Sequence, residues 1–257
     1  MKKKFLIVGN WKMNTDLSVA EDLICDLADG LGETKNDVVV CPPVVFLEQC
    51  FLTADSKKVN NLQFGTQNIG WEKKGALTGE ISIDMVEPWV KYVITGHSER
   101  RQYFAETSNI INKKIRLCLE KKITPILCVG EKRYVSSQDV ADIGRELSDS
   151  IEGLTKEELI KVVIAYEPVW AIGSGEAADA GYTGRIIAGL RGWIKDGYDF
   201  ETAESIRFLY GGSVDHKNAG EYLSKDQVDG LLVGGASLKA KSFLKIVEMA
   251  DKLLAKN

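Results

Sequence analysis

Residues 162–175 read VVIAYEPVWAIGSG, and the stretch changes character halfway along. Its four leading apolar residues are typical of a strand that is buried on both faces. The strand delivers one carboxylate, Glu167, and Pro168 interrupts it at once. Gly173 and Gly175 then border a short segment that is able to hinge. A general base that works away from water needs such a carboxylate at a strand end, although a lone Glu-Pro pair is more often an ordinary turn.

The same alternation of apolar strand and amphipathic helix runs through the whole chain. We predict eight strands, at residues 5–11, 37–41, 59–64, 91–96, 124–129, 161–167, 206–210 and 229–233. Helical periodicity lies between them and is clearest at residues 16–31, 107–121, 137–151, 178–196 and 241–255. Asp16 and Thr107 are the expected N-caps of two of these helices. The repeat is typical of an α/β protein.

The continuous apolar character of the strands indicates a parallel sheet covered by helices on both faces. Two architectures satisfy this pattern, an open doubly wound sheet and a closed barrel. Eight strand-helix units within 257 residues match the usual size of a (β/α)8 barrel. Because no linker, low-complexity tract or change in composition divides the chain, we predict a single domain over residues 1–257, with eight parallel strands ringed by helices.

Composition and charge argue against several classes of function. The net charge of −4 and the lack of a basic tract argue against nucleic acid as a partner. The five cysteines are scattered without a CxxC pair, which indicates reduced thiols and no disulfide framework. A chain with only two histidines is also poorly suited to a histidine-rich metal site. We therefore expect no metal ion in the site.

The N-terminal region carries three lysines followed by a short apolar run, Phe5 to Val8. A signal peptide needs an apolar core of roughly 7–15 residues, so this run is too short. No stretch of the sequence approaches the ~20 apolar residues that cross a membrane. We expect a soluble, cytoplasmic protein without a membrane partner.

Unusual polar residues gather where the predicted strands end. Asn10 and Lys12 close the first strand, His97 and Glu99 follow the fourth, and Glu167 ends the sixth. In (β/α)8 barrels the carboxyl ends of the strands form one face, and that face carries the catalytic groups. The sequence therefore predicts one site that is assembled from loops far apart along the chain.

Two glycine clusters follow the last two strands, Gly211-Gly212-Ser213 and Gly234-Gly235-Ala236-Ser237. Glycine lets an anion approach backbone N–H groups, and the loops after strands seven and eight are the usual phosphate site of such barrels. Tight turns would explain either cluster alone, but less readily both clusters in those two loops. Next to a phosphate, Lys12 is expected to act as a counter-charge rather than as a solvated lysine.

His97 is followed by Ser98-Glu99-Arg100-Arg101, which resembles the start of a short helix. The positive end of a helix disfavours an imidazolium, so we expect a neutral imidazole that donates one hydrogen bond and accepts another. Glu99 is either a solvated helix residue or a partner of Lys12, and the sequence alone slightly favours the former. Asn10 either donates from its amide or caps a turn.

Cys41 and Cys128 lie at strand ends and invite comparison with a catalytic nucleophile. Neither has a neighbouring histidine or a strong helix start that would activate a thiol. We interpret Cys128 as a small packed residue near the site.

The motifs together resemble the triosephosphate isomerase family and span almost the whole chain in that family's order. They are Gly9-Asn10-Trp11-Lys12-Met13-Asn14, Gly65-Thr66-Gln67-Asn68 with Gly75-Ala76-Leu77-Thr78-Gly79-Glu80, Gly96-His97-Ser98-Glu99-Arg100-Arg101, Tyr166-Glu167-Pro168-Val169-Trp170-Ala171-Ile172-Gly173, Tyr210-Gly211-Gly212-Ser213-Val214 and Val233-Gly234-Gly235-Ala236-Ser237-Leu238. The resemblance implies the TIM barrel fold.

The resemblance also implies a reaction without a cofactor, the interconversion of dihydroxyacetone phosphate and glyceraldehyde 3-phosphate through an enediol(ate), in glycolysis and gluconeogenesis. It assigns the role of base to Glu167. Neutral His97 would polarise the carbonyl and shuttle protons between its oxygens. Lys12 and Asn10 would stabilise the developing negative oxygen, and Glu99 would support Lys12.

By the same resemblance, the phosphate would rest on backbone N–H groups of Gly173, Ser213, Gly234 and Gly235. A lid would cover the site and exclude water, and it would consist of Pro168, Val169, Trp170, Ala171, Ile172, Gly173, Ser174 and Gly175. The family's usual Gly-Thr-Gly-Lys run is replaced here by residues 173–176, GSGE. Glu176 thus reverses a charge at the hinge, which bears on the opening rate of the lid.

The resemblance further implies a homodimer in which the loop from Gln67 to Glu80 projects into the partner. Thr78 would approach the partner's Asn10 and His97 and pack near Met13. An ordinary exposed loop is the alternative. For the function, the alternatives are another phosphosugar-binding barrel enzyme and a catalytically silent barrel kept for binding.

Overall fold

Eight parallel strands form a closed barrel in this computed structural model, which describes residues 4–134, 140–171 and 177–255. The strands follow one another around the barrel in chain order, and β1 pairs with β8 to close it. They are β1 (Leu6–Asn10), β2 (Asp37–Cys41), β3 (Leu62–Thr66), β4 (Tyr92–Thr95), β5 (Thr124–Val129), β6 (Val163–Tyr166), β7 (Arg207–Tyr210) and β8 (Gly230–Val233). The predicted (β/α)8 barrel is confirmed.

Helices connect successive strands and pack around the barrel. They are α1 (Leu17–Gly30), α2 (Val44–Ser56), α3 (Ile83–Val86), α4 (Ser98–Tyr103), α5 (Ser108–Glu120), α6 (Ala141–Ser150), α7 (Lys156–Leu159), α8 (Ala180–Gly197), α9 (Phe200–Ser205), α10 (Ala219–Leu223) and α11 (Ala240–Ala255), with 3₁₀ turns at Val169–Ala171 and Gly235–Leu238. Within the described ranges, none of these helices combines the length and the hydropathy that a membrane span requires.

The N-caps predicted for α1 and α5 are confirmed. The carboxylate of Asp16 accepts a hydrogen bond from the backbone N–H of Val19, and the hydroxyl of Thr107 accepts one from Ile110. Each cap satisfies one of the backbone donors that a helix start leaves unpaired. The predicted helix at 137–151 starts at Ala141 as far as the structure describes it, since residues 135–139 lie outside the described ranges.

The strands are mostly apolar because both of their faces are buried. Along β1, Leu6 and Val8 point into the barrel, whereas Ile7 packs in the layer between the strands and the helices. Successive side chains of a strand point to opposite faces, so this alternation is the ordinary strand period of two. The barrel interior is filled by Leu6, Val8, Val39, Cys41, Tyr92, Ile94, Ile126, Cys128, Val163, Ala165, Leu209 and Leu232.

The strand predicted at 59–64 is displaced, because β3 occupies Leu62–Thr66. Lys58 has a φ of 57°, in the left-handed region, and it turns the chain after α2. Asn61 follows in the same turn and donates from its amide to the carbonyl of Gly32 at 2.6 Å. The chain therefore becomes extended only after this polar turn.

Two glycines in neighbouring helices make a matched test of the outer layer. A Cβ added at Gly144 in α6 would lie 2.4 Å from the Trp193 ring of α8, whereas a Cβ added at Gly192 in α8 would meet nothing within 4 Å. We expect Gly144→Ala to lower the free energy of unfolding by about 1–3 kcal/mol through overpacking. Gly192→Ala should raise it by about 0.5–1 kcal/mol, because alanine loses less backbone entropy on entering a helix.

Guanidinium unfolding followed by circular dichroism would measure both variants. Equal effects of the two substitutions would contradict the close contact between Gly144 and Trp193.

Candidate active site

The polar residues predicted at the strand ends meet at one mouth of the barrel. They line a cavity of about 780 Å³ together with both glycine clusters. Its walls include Asn10, Lys12, His97, Glu99, Gly211, Gly212, Ser213, Gly234 and Gly235. Glu167 borders an adjoining cavity of about 270 Å³, and Ser98 and Val169 line both cavities.

Glu167 is almost completely buried, with 1% of its surface exposed. Its backbone N–H donates to the carbonyl of Val129 at 2.8 Å, which continues the ladder between β5 and β6. Its Oε2 accepts a hydrogen bond from the backbone N–H of Ser98 at 2.8 Å. Its Oε1 lies 3.0 Å from Nε2 of His97, without the alignment of a good hydrogen bond. The carboxylate is thus held at the amino end of α4 beside an imidazole.

The imidazole of His97 is the N-cap of α4 and is buried. Its Nδ1 accepts a hydrogen bond from the backbone N–H of Glu99 at 3.2 Å. A ring nitrogen that accepts carries no proton, so a neutral ring has its proton on Nε2, the atom that faces Glu167. This arrangement matches the pattern of one donor and one acceptor expected from the sequence.

Lys12 is held in place from both its side chain and its backbone. Its Nζ lies 2.7 Å from Oε1 of Glu99, so Glu99 pairs with the lysine, whereas the sequence alone slightly favoured a solvated glutamate. Lys12 has a φ of 53°, which is unfavourable for a residue with a side chain. The Oδ1 of Asn10 accepts from its backbone N–H at 3.1 Å, and the amide of Gln67 donates to its carbonyl at 2.9 Å.

Gln67 was expected in the dimer loop, and the structure gives it a second role that the sequence did not suggest. Its Nε2 donates both to the carbonyl of Lys12 and, at 3.0 Å, to the carbonyl of Cys41. Gln67 thereby joins the loops after β1, β2 and β3. Its position directly after β3 is the only signal in the sequence that pointed to this role.

The two glycine clusters lie on either side of the cavity that contains Lys12. The backbone N–H of Gly211 donates to the carbonyl of Tyr166 at 2.8 Å, and the hydroxyl of Ser213 donates to Ala171 at 3.0 Å. A Cβ added at Gly234 would lie 3.5 Å from Cε of Lys12, and one added at Gly235 would meet nothing. The backbone at Gly234 and Gly235 is therefore open to a ligand near the lysine, whereas the backbone at Gly211 and Gly212 packs against Glu167 and Tyr210.

Glu131 was missed by the sequence analysis, although it too follows a strand end, that of β5. Its buried Oε1 accepts hydrogen bonds from Tyr166 at 2.8 Å, from Trp170 at 2.7 Å and from Tyr182 at 3.0 Å. Burial raises the pKa of this carboxyl, and the three hydrogen bonds oppose that shift. The ring of Tyr134 stacks on Tyr182 and meets Trp170 edge to face. The cluster fixes the start of the predicted lid.

Several predicted residues cannot be placed. Ile172, Gly173, Ser174 and Gly175 of the predicted lid, and Glu176 beyond it, lie outside the described residues. Of the predicted dimer residues, Met13 and Thr78 are exposed, Met13 at 97%. Among the described residues, no group of three or more His, Cys, Asp or Glu side chains is arranged to hold a metal ion.

Comparison with known proteins gives consistent matches. The profile of the triosephosphate isomerase family matches residues 5–250. The triosephosphate isomerase of Alkaliphilus oremlandii is 42% identical over 248 residues, which cover 95% of this chain and 99% of that protein. The one from Dictyoglomus thermophilum is 42% identical over 252 residues, covering 96% and 100%. The one from Clostridium tetani is 41% identical over 248 residues, covering 95% and 96%.

The environment of the cysteines predicts selective alkylation. Cys128 points into the barrel, and burial together with the nearby Glu167 carboxylate raises the pKa of its thiol well above the usual value. Because the thiolate is the reactive form, Cys128 should resist iodoacetamide at pH 7.5. Cys25, which is partly exposed, should be the first to react.

Peptide mass spectrometry of the alkylated protein would locate the adducts. All five cysteines should react after unfolding in guanidinium, which serves as the control. A rapid adduct on Cys128 in the folded protein would instead indicate a thiolate and reopen the nucleophile hypothesis.

Proposed function

Because this chain belongs to the triosephosphate isomerase family, we propose that it interconverts dihydroxyacetone phosphate and D-glyceraldehyde 3-phosphate through an enediol(ate). One observation carries the proposal. The buried carboxylate of Glu167 lies 3.0 Å from the imidazole of His97, and His97 lines a cavity together with Lys12 and the two glycine loops. A base, a proton shuttle, a cation and an anion site are what this reaction needs.

In the proposed mechanism Glu167 is the base that removes a proton from the carbon next to the carbonyl and returns it to the neighbouring carbon. Burial suits the role, because a carboxylate that is poorly hydrated is a stronger base toward carbon. In the described geometry Oε2 is bound to the N–H of Ser98, and a hydrogen bond to a charged group contributes about 1.5–3 kcal/mol. The carboxylate must leave this N–H to reach a substrate in the larger cavity, so substrate binding has to offset that contribution.

His97 is proposed to polarise the substrate carbonyl and to move a proton between the two oxygens. Its Nδ1 is engaged by the backbone N–H of Glu99, which leaves Nε2 to donate to a substrate oxygen. A neutral donor is appropriate here, because the enediol that forms is only a weak acid, and the enediolate exchanges protons most easily with a donor of similar acid strength.

Lys12 and Asn10 are proposed to stabilise the negative charge that develops on the substrate oxygen. Fixed charges and dipoles stabilise a transition state best when they need no rearrangement during the reaction. The bond from Lys12 to Glu99 and the backbone bonds to Asn10 and Gln67 supply that rigidity. Glu99 and Gln67 therefore act by supporting the lysine.

The substrate phosphate is proposed to bind backbone N–H groups of Ser213, Gly234 and Gly235, with Gly173 as a further donor. The open backbone at Gly234 and Gly235, close to Lys12, supports this site, and Ser213 lines the same cavity. The lid from Pro168 to Gly175 remains a prediction, and the hydrogen bond of Trp170 to Glu131 supports a fixed hinge at its start.

The chemistry requires no cofactor, because the substrate carbonyl itself accepts the electron pair as an enolate. We therefore expect activity to be insensitive to chelators. A different phosphosugar-binding barrel enzyme would be recognised by turnover of another sugar phosphate in place of the trioses. A silent binding barrel would bind triose phosphate without exchanging its protons.

We also propose that the chain forms a homodimer through the segments, loops and helix starts alike, that follow β1 to β4. Large apolar side chains are exposed on all four, namely Met13 at 97%, Val45 at 77%, Met85 at 59% and Phe104 at 66%. The four strands are neighbours in the barrel, so these side chains lie on one side of the molecule. Exposed apolar groups that cluster in this way are typical of a protein interface.

The role of the base can be tested with Glu167→Asp. Shortening the side chain moves the carboxylate by about 1 Å, which should lower kcat on the order of 10²-fold. A coupled assay in each direction measures the rate, and solvent deuterium should enter the reacting carbon of the substrate in the wild-type protein. Glu248→Asp is the matched control, because Glu248 is exposed on α11. Wild-type turnover in Glu167→Asp, with chemistry shown to limit the rate, would exclude Glu167 as the base.

The dimer can be tested with Met13→Asp. Burying a carboxylate in place of a large apolar side chain is costly, and a symmetric dimer carries the change twice. We expect the dissociation constant to rise by at least about 10²-fold, measured by sedimentation velocity over a dilution series. Phe200→Asp, at an exposed apolar residue on α9, should leave dimerisation unchanged. A wild-type protein that is a fully active monomer would refute the dimer.

A further inference from the structure

Tyr222 connects three separate segments behind the proposed phosphate site. It lies on α10 and is buried, with 2% of its surface exposed. Its hydroxyl donates a hydrogen bond to the backbone carbonyl of Ala178 at 2.6 Å. Its ring stacks on that of Tyr210, with centroids 4.0 Å apart and an angle of 18° between the planes. The proposed mechanism makes no use of this residue.

Tyr210 is the last residue of β7 and directly precedes the glycine cluster Gly211–Ser213. The loop folds back onto its ring, since a Cβ added at Gly212 would lie 2.2 Å from the hydroxyl oxygen of Tyr210. That hydroxyl is buried and makes no well-formed hydrogen bond within the described part of the chain. The position of the Tyr210 ring is therefore set by packing, and Tyr222 supplies one whole face of that packing.

Ala178 is the second anchored point. It is buried and immediately precedes Asp179, the N-cap of α8. The bond from Tyr222 gives the carbonyl of this buried residue a hydrogen-bond donor. A phenylalanine at position 222 would keep the ring stack and lose this bond.

We propose that Tyr222 is a positioning residue for the backbone that binds the substrate phosphate. It fixes the Gly211–Ser213 loop through Tyr210 and fixes the chain that enters α8 through Ala178. The inference rests on the proposed function, since it concerns how firmly the phosphate of the triose is held.

How firmly the phosphate is held in position controls a side reaction of the enediolate. If the phosphate leaves the plane of the carbon skeleton, the electron pair of the enediolate forms a new carbon–carbon double bond as the carbon–oxygen bond to phosphate breaks. The enediolate oxygen re-forms a carbonyl, and inorganic phosphate departs with the bonding pair and takes up a proton. The remaining enol then tautomerises to methylglyoxal, its terminal carbon gaining the proton that its hydroxyl gives up. The ratio of phosphate release to isomerisation therefore reports how well the phosphate is positioned.

The test compares Tyr222→Phe with Tyr198→Phe. Tyr198 also donates from its hydroxyl to a backbone carbonyl, that of Leu154 at 3.1 Å, but it follows the other end of α8. Both variants lose one hydrogen bond of the same kind, so they should lose similar thermal stability. Tyr222→Phe should raise the ratio of phosphate release to isomerisation about fivefold, the factor to which one net hydrogen bond corresponds. Tyr198→Phe should leave the ratio at the wild-type value.

Calorimetric binding of 2-phosphoglycolate, a phosphate-bearing mimic of the enediolate, gives a second readout. Its dissociation constant should rise about fivefold in Tyr222→Phe alone. A ratio and a dissociation constant that both stay within twofold of wild type would overturn the proposal, as would equal changes in the two variants. Failure of the wild-type protein to isomerise trioses would instead refute the proposed function, and the calorimetric comparison would still decide whether Tyr222 positions the anion site.

Discussion

The pairing of β1 with β8 closes the sheet, and the candidate site depends on this closure. The register sets Leu6 to Gly9 opposite Gly230 to Val233, so both strands end at the same height. Lys12, just past β1, therefore lies beside Gly234, just past β8. In an open sheet the two strands would be separate edges, and the lysine would have no access to the second glycine loop. A main-chain hydrogen-bond pattern thus determines which side chains can share a cavity.

Closure also restricts where charge can be placed, because the interior of the barrel is filled by apolar side chains. Charged groups at the strand ends then need partners from other strands. Lys12 forms an ion pair with Glu99, which follows β4, and Glu167 accepts a hydrogen bond from the N–H of the preceding residue, Ser98. The left-handed backbone of Lys12 costs on the order of 1–3 kcal/mol, and the bonds from Asn10 and Gln67 hold it there. The first two residues of α4 thus support both the proposed base and Lys12.

Local pattern was sufficient for the barrel and for most of the site. Strand periodicity located β2 and β5 to the residue, and the polar residues at strand ends identified one face of the barrel. The local sequence pattern could not predict contacts between residues far apart in the chain. Gln67 reaches Lys12 across 55 residues, and Trp170 reaches Glu131 across 39. A glutamine or a glutamate after a strand looks the same in sequence whether it faces solvent or supports a loop, so only the three-dimensional arrangement distinguishes them.

The position of Glu167 shows why glycines are needed beside this glutamate as well as around the proposed phosphate site. A Cβ at Gly130 would lie 1.7 Å from the carbonyl oxygen of Glu167, and one at Gly211 would lie 3.0 Å from its Cγ. The two glycines follow β5 and β7, the neighbours of β6 on either side. Both strands can therefore approach the glutamate closely, and each forms a backbone hydrogen bond beside it, at Val129 and at Tyr166. The backbone of Glu167 is thus fixed from both sides, so the proposed movement of the carboxylate from the N–H of Ser98 to the larger cavity would involve its side chain alone. A larger residue at position 130 would displace the peptide of Glu167, and the carboxylate would be displaced with it.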